Sequence, residues 1–515
     1  MTTLSPTQRT MLFSACFVAL VATAFAFMLR MLIMPEWEAA FGLSETEMGT
    51  LFGAGLWPFG VSIVVFSLII DRIGYGKAMI FAFVCHVAFA LMTIFADGFS
   101  MLYWGSIIGA LGAGTVEAVI NPLIASIYRD NKTTWLNILH AGWPGGLVVT
   151  GIVVLGISDA MTWQWKIGLI LIPTVAYGIM MLLSTFPNSE RVDAGVGYRA
   201  MLAEVGWGGA FIVALMIVME LTANVFNIEA IQSFGWQLGI AAIIAGIYGA
   251  YARSFGRPMY VFMLLIMLLL ATTELGTDAW IKNLLEPAIN DSIGINGGWA
   301  LVYTAAIMTV LRLTCSPLVH SLKPLGVLAM SAALAAIGIY WLSILSAPGA
   351  SVGAVVIIIA ATIYGLGQTF FWPTTLGFVA EQFPRGGAMT LNVIAGVGML
   401  GVGVLGAAWL GNVQDQAKVE ALHQQSEAMH AKYATENKTS IFGDYTALSP
   451  ASAEATGEER EIIDLAEQHG NSTALARVAI LPVIMFVCYI GLIFYFRSRG
   501  GYTVVKLDSS EPNAP

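Results

Sequence analysis

The sequence predicts an all-α, polytopic membrane protein with about fourteen transmembrane helices, and three observations predict it. Of 515 residues, 57% are hydrophobic and only 11% charged, where a soluble domain carries roughly 25% charged residues. The mean hydropathy is +0.78. The apolar residues also gather in stretches of about 20, the length that crosses a bilayer as a helix with its backbone bonded internally.

In chain order the stretches are 11–34, 47–70, 78–96, 100–128, 135–157, 164–186, 203–226, 235–253, 258–283, 299–319, 325–346, 352–379, 388–411 and 475–496. The first is too long for a signal-peptide core and has no small-residue cleavage site close behind it, so it is read as an uncleaved span. Connectors of a few Gly, Pro and charged residues separate most of the others, which suits sequentially antiparallel helices. Two segments break this rhythm: a polar connector, 187–202, after six spans, and a hydrophilic segment, 413–475, before the last. Within the latter, Gln414 to Lys438 is rich in Ala, Gln, Glu and His and is expected to form a solvated helix. The acidic excess behind the net charge of −9 lies largely in that segment, so it forms no stripe facing a partner, and nucleic-acid binding has no support. All four cysteines, Cys16, Cys85, Cys315 and Cys488, fall in apolar runs, which leaves no loop thiol for a disulfide framework.

Charge sets the orientation. With the N-terminus inside, the inner segments collect Arg9, Arg72, Lys77, Arg129, Lys132, Arg191, Arg199, Arg253, Arg257, Lys323, Arg385, Arg497, Arg499 and Lys506, 14 of the 23 basic residues. Positive residues are retained in the cytoplasm, so the expectation is a multi-pass cell-membrane protein with both termini cytoplasmic.

A shift of 251 residues superimposes Arg72 on Lys323, Pro122 on Pro373 and Glu117 on Gln368. Two related six-span halves explain all three coincidences, and transporters with a site between such halves are a known design. The expected division is a first bundle over 1–186, a connector with two accessory spans over 187–256, and a second bundle over 257–515 carrying the extracytoplasmic segment 413–475.

The loop Asp71-Arg72-Ile73-Gly74-Tyr75-Gly76-Lys77 resembles the signature that follows the second helix in the major facilitator superfamily, a fold of two six-helix bundles. The resemblance makes Asp71, Arg72 and Gly74 a gating loop. Val116-Glu117-Ala118-Val119-Ile120-Asn121-Pro122-Leu123, followed by Trp135-Leu136-Asn137-Ile138-Leu139-His140, is similar to the fourth and fifth helices of the fucose permease type, the fucose, galactose and glucose proton symporters. Thr273-Glu274-Leu275-Gly276-Thr277-Asp278-Ala279-Trp280 looks like an acid-and-tryptophan stretch of that type. The resemblance implies that Glu117 couples transport to protons and that the solute is a hexose-like sugar. The chain carries Arg30 and Met31 shortly before Pro35, where that type has an acid.

The residues support a site on their own terms. A charged acid at mid-span costs about 2.5–3.5 kcal/mol on insertion scales, and protonating an ordinary glutamate at pH 7 costs roughly 3.7 kcal/mol. With the two costs this close, Glu117 can change protonation as water reaches it from one side or the other; otherwise it is a packing residue held neutral. Asn121, four residues on, shares its face and suits either hydroxyl recognition or the repair of a helix disturbed by Pro122. Arg30 and Arg312 lie inside spans and need partners, for which Glu117, Glu274 and Asp278 are available; Arg30, nearer an edge, could instead snorkel. Tyr364, Gln368 and Trp372 share a helical face and could offer an amide and ring planes to a sugar, or simply pack. His140 and Glu274 are further proton-coupling candidates, and Asn121, Asn137, Gln368, Trp372, Tyr364, Trp280, Arg30 and Arg312 the substrate-binding ones.

No His, Cys or carboxylate grouping has metal-ligand spacing, and neither a nucleotide loop nor a nucleophile motif is present. No metal, cofactor or enzymatic activity is expected. The expected partners are a small polar solute, protons and the lipid bilayer, with oligomeric state unspecified. The function that follows is secondary active transport, a proton-coupled symport of a hexose-like sugar. Two rivals stand beside it: an antiporter exporting drugs or metabolites, faintly suggested by Trp143-Pro144-Gly145-Gly146, and a non-transporting receptor or scaffold that binds through 413–475.

Overall fold

The computed structural model describes residues 4–157, 161–226, 228–277, 298–349, 353–440 and 442–507. Thirteen of its helices are long and apolar enough to cross a membrane, and Leu301–Leu313 is a shorter apolar helix in the place of a fourteenth. Spans 1 to 6 are Pro6–Phe41, Glu47–Ile73, Tyr75–Ile94, Phe99–Ile127, Lys132–Gly156 and Trp163–Leu182. Spans 7 and 8 are Tyr198–Glu220 and Phe234–Ala252. Spans 9 to 14 are Pro258–Gly276, Leu301–Leu313, Ser316–Leu345, Val355–Gln382, Pro384–Gln425 and Glu458–Ser498. The molecule is a polytopic α-helical protein of two six-helix bundles plus two accessory helices, as expected.

Local chemistry fixes the ends of these helices. Ser5 accepts from the Gln8 backbone while the Gln8 side chain reaches back, with Pro6 in the first turn, and Gly42 in a left-handed conformation (φ 63°) closes span 1. Ser44 and Glu47 repeat the reciprocal cap at the start of span 2. Small residues let the spans approach. A Cβ on Gly114 of span 4 would lie 2.2 Å from the Phe59 carbonyl of span 2, and one on Gly338 of span 11 would lie 2.4 Å from the Tyr364 nitrogen of span 12.

The bundles meet along two seams. Span 2 packs on span 13, and span 5 on spans 10 and 12. Spans 7 and 8 pack on each other, and span 7 lies against span 13.

Several spans are interrupted near mid-membrane. Span 2 breaks at Ala54–Leu56, span 5 at Ala141 and span 12 at Thr369–Phe370. Spans 9 and 13 contain single π-turns, Thr272–Gly276 and Val402–Gly406, a form concentrated at functional positions. Span 4 runs unbroken through Pro122.

Within the segment 413–475, the solvated helix expected over Gln414 to Lys438 is present in two pieces and ends before Lys438. The helix stops at Gln425 and resumes over Glu427–Tyr433, and the chain then forms a hairpin of two strands, β1 (Glu436–Ser440) and β2 (Gly443–Ala447), so Lys438 is in a strand. Leu422, Met429, Tyr433, Ile463 and Ala466 make a small core of their own. That core explains why the segment is folded rather than a lone helix in water.

Candidate functional site

A cavity enclosing about 970 Å³ of empty space lies between the bundles, walled by spans 1, 2, 4 and 5 on one side and 9, 10, 12 and 13 on the other. Its lining is mostly ring and aliphatic surface: Phe27, Phe52, Phe59, Trp143 and Trp372. Four polar side chains enter it, Glu117, His140, Glu274 and Arg312, each almost completely buried.

With Asn121 between Glu117 and His140, these four form one hydrogen-bonded chain. The Asn121 amide donates to Glu117 Oε2 at 2.7 Å, and Asn121 Oδ1 meets His140 Nε2 at 2.8 Å. Arg312 donates from Nη1 to the His140 carbonyl at 2.9 Å, from Nε to the Thr369 carbonyl at 2.6 Å, and from Nη2 to Glu274 Oε1 at 3.2 Å. The arginine on span 10 therefore touches spans 5, 9 and 12. It forms an ion pair with Glu274, one of the three acids the sequence offered; Asp278 lies outside the described residues.

Prolines create the acceptors for this chain. A proline has no N–H for the carbonyl four residues earlier, so that oxygen must find another donor. Pro144 frees the His140 carbonyl and Pro373 frees the Thr369 carbonyl, and Arg312 takes both. Pro122 frees the Ala118 carbonyl, which accepts from Asn392 Nδ2 of span 13 at 3.0 Å. Asn392 and Pro144 were not among the sequence candidates; a proline in mid-span, with a polar residue facing it from another helix, is the signal that points to them.

The remaining candidates are spread more widely. Trp372 lines the cavity, whereas Gln368 and Tyr364 do not, because the break at Thr369–Phe370 interrupts the face the three would share on a continuous helix. Gln368 Nε2 faces Met308 Sδ at 3.5 Å, and the Tyr364 hydroxyl donates to the Thr273 carbonyl at 3.0 Å, bracing the π-turn that carries Glu274. Asn137 bonds Thr374 across the bundles at 3.1 Å, away from the cavity lining. Arg30 is buried and lines a smaller cavity beside the main one, so it does not snorkel. Trp280 lies outside the described residues. Among the described residues no three His, Cys or carboxylate side chains gather as they would for a metal ion.

Hydrogen bonds joining the bundles cluster between the cavity and the face that carries both termini. Thr133 Oγ1 donates to Glu381 Oε1 at 2.5 Å and Lys132 Nζ to the Ala380 carbonyl at 3.0 Å. Gly377 packs so tightly on Thr133 that a Cβ there would lie 2.4 Å from its hydroxyl. The C-terminal tail closes over this seam: Tyr502 donates to Glu381 Oε2 at 2.6 Å, the Val505 N–H to the Glu381 carbonyl at 3.0 Å, and Gln382 Nε2 to the Thr503 carbonyl at 2.8 Å. Burial first, and the Glu381 carboxylate second, push the Tyr502 phenol well above its ordinary value, so it remains a donor.

The loop after span 2 is anchored at the same face. Arg191 Nε and the Ser189 hydroxyl of the connector each donate to Asp71 at 3.0 Å, and Arg72 lies 4.6 Å over the Tyr198 ring. Gly74 takes φ 83°, a conformation open to glycine, and lets span 3 start at once.

Two six-helix bundles around a central polar chain are the architecture of a membrane transporter with its site between the halves. The model of the Major Facilitator Superfamily matches residues 15–408, and the chain belongs to that family. A gentisate transporter of Corynebacterium glutamicum is 23% identical over 163 residues, which cover 31% of this chain and 36% of the relative, so the match spans about a third of that protein. Among solved structures, the proton:xylose symporter XylE bound to 6-bromo-6-deoxy-D-glucose aligns with a TM-score of 0.62 at 11% identity, covering 94% of this chain and 96% of that one. The human organic anion transporter MFSD10 aligns at 0.58 and 10% identity, covering 94% and 100%. FucP in its outward conformation aligns at 0.51 and 15% identity, covering 92% and 98%. These likenesses show the fold.

Proposed function

We propose that this family member is a proton-coupled symporter of a small organic solute, working by alternating access. One observation carries the reading. Glu117 is a mid-span carboxyl at the wall of the cavity between the bundles, and the side chain bonded to it is the neutral amide of Asn121, while Arg312 is paired with Glu274. Glu274 sets its carboxylate against the Arg312 charge at 3.2 Å. Glu117 is then the group whose charge changes when water and protons reach the cavity, and its protonation removes the charge that opposes closure in a low-dielectric site. Arg312, in contact with both bundles, is the joint about which they re-form contacts.

The bundles are taken as 1–186 and 257–515, with 187–256 an accessory module. The distribution of basic residues supports a cell-membrane location with both termini cytoplasmic. The seam of hydrogen bonds below the cavity then corresponds to the state closed toward the cytoplasm. Asp71, Arg72 and Gly74 belong to the gate at that face, tied to the connector.

For the solute, a hexose-like sugar is supported by the resemblance to sugar symporters and by Trp143 and Trp372, whose planes suit the apolar faces of a sugar ring. A second reading, a small organic acid, is favoured by the five aromatic side chains and few polar atoms of the lining, which leave most sugar hydroxyls without partners. It is also in keeping with the relatives named for gentisate and for organic anions.

The test is uptake of a solute panel, sugars and organic acids, into proteoliposomes with an imposed pH gradient. Wild type should accumulate its solute in the direction of the gradient; Glu117→Gln should lose accumulation and retain counterflow exchange. Unchanged accumulation by the variant refutes the role of Glu117.

A further inference from the structure

Beside the main cavity lies a smaller one, about 400 Å³ of empty space between spans 1, 2 and 4, sharing the walls Phe27, Leu56, Phe59 and Trp143. Arg30 enters it from span 1. Arg30 is 9% exposed, and its guanidinium lies directly over Gly55, where an added Cβ would fall 1.3 Å from Nη1. The break in span 2 and its glycine thus form a seat that no other residue would leave open.

The charge in that seat is only partly answered. Arg30 Nη2 donates to the Leu51 and Phe52 carbonyls at 2.6 and 3.3 Å, at the end of the helix Glu45–Gly53, and such an end carries about half a negative charge. Among the described residues no carboxylate pairs with Arg30, and its Nε has no partner. Ser106, 1% exposed on the wall of the same cavity, likewise has an Oγ with no hydrogen-bond partner. Buried cations normally find a full counter-charge, because an uncompensated one costs several kcal/mol. Two unsatisfied donors on side chains that line one void beside the main cavity call for an acceptor that arrives from outside.

We propose that Arg30 and Ser106 form an anion subsite that takes a carboxylate of the transported solute, whose body lies among the rings of the main cavity. This deepens the transport reading and rests on it, in that the main cavity is taken as the solute site. The ligand class is a small organic acid, with its carboxylate on the guanidinium fork and an apolar or ring-shaped body between Phe59 and Trp143. Gly55 is a positioning residue for the fork.

The experiment is calorimetric binding to the purified full chain with two probe pairs that differ in a carboxylate, glucuronate against glucose and benzoate against benzyl alcohol. In at least one pair the acid should bind about tenfold or more tightly than its neutral counterpart, as a charge-assisted bond contributes. Arg30→Gln should reduce the acid to the affinity of the neutral probe without weakening the latter. Arg30→Lys should keep part of the preference and Ser106→Ala should lower it several-fold, so the proposal can still be decided if Arg30→Gln does not fold. Absence of acid preference in both pairs, or a preference that survives loss of the guanidinium, overturns it. The two proposals fail separately. Proton-independent uptake of an acid that still requires Arg30 removes the coupling role and leaves the subsite, whereas coupled uptake indifferent to Arg30 does the reverse.

Discussion

At the scale of single residues, spacing was informative wherever the helix was regular. Glu117 and Asn121 are four apart on span 4, and the structure joins them at 2.7 Å. Spacing misled where the helix was interrupted, as at Gln368 and Trp372, since no period reveals the break between them. The partner of Arg312 could be narrowed to three acids but not chosen from the sequence, because the choice depends on how span 9 turns at Glu274. Breaking this pair should be costly. Arg312→Met, which leaves Glu274 buried without its cation, should destabilise the folded protein by roughly 3–5 kcal/mol, while the double variant with Glu274→Gln should recover much of that, as thermal unfolding in detergent would show. A second residue-scale prediction concerns Lys323, whose φ of 59° and ψ of 164° belong to a region nearly exclusive to glycine. Lys323→Gly should raise stability by about 1 kcal/mol in the same assay.

At the scale of elements, the spans themselves were legible because a helix in hydrocarbon must be long and apolar. Their interruptions were not, since Pro122 leaves span 4 continuous while spans 9 and 13 deviate without any proline in their π-turns. The prolines act instead through the carbonyls they free. Pro373→Ala returns an N–H to the Thr369 carbonyl in competition with Arg312, and should lower the transport rate about tenfold, the effect of one weakened charged hydrogen bond. A normal rate would show that Arg312 does not depend on that acceptor. The tail is an element that composition could not place, since 499–507 is short and mixed in character. Removing residues after Arg499 deletes the donors from Tyr502 and Val505 to Glu381. Cysteines introduced along the seam near Thr133 should then react faster with a polar thiol reagent added from the termini face, and unchanged labelling would mean that the tail does not hold the gate.

At the scale of the whole molecule, the helical membrane plan was readable from hydropathy, a consequence of the bilayer, while the 251-residue offset was the ground for expecting two related halves. The accessory pair was countable, but its seat on span 13 is a matter of packing that no pattern discloses. The fold of 413–475 was also hidden, because a core as small as Leu422, Met429, Tyr433 and Ile463 leaves little periodic trace in a polar segment. Replacing 426–457 by a short flexible linker should leave flux intact if the bundles alone transport, and loss of flux with a well-folded membrane core would assign that segment a part in the cycle.

The most direct measurement is of protons rather than solute. Proteoliposomes loaded with a pH-sensitive dye, with no pH gradient imposed and the membrane potential clamped at zero, are given the transported solute outside. The lumen should acidify as solute enters with wild type and should not acidify with Glu117→Gln, although solute still exchanges. Solute entry by wild type without acidification, or equal acidification by the variant, would contradict the mechanism.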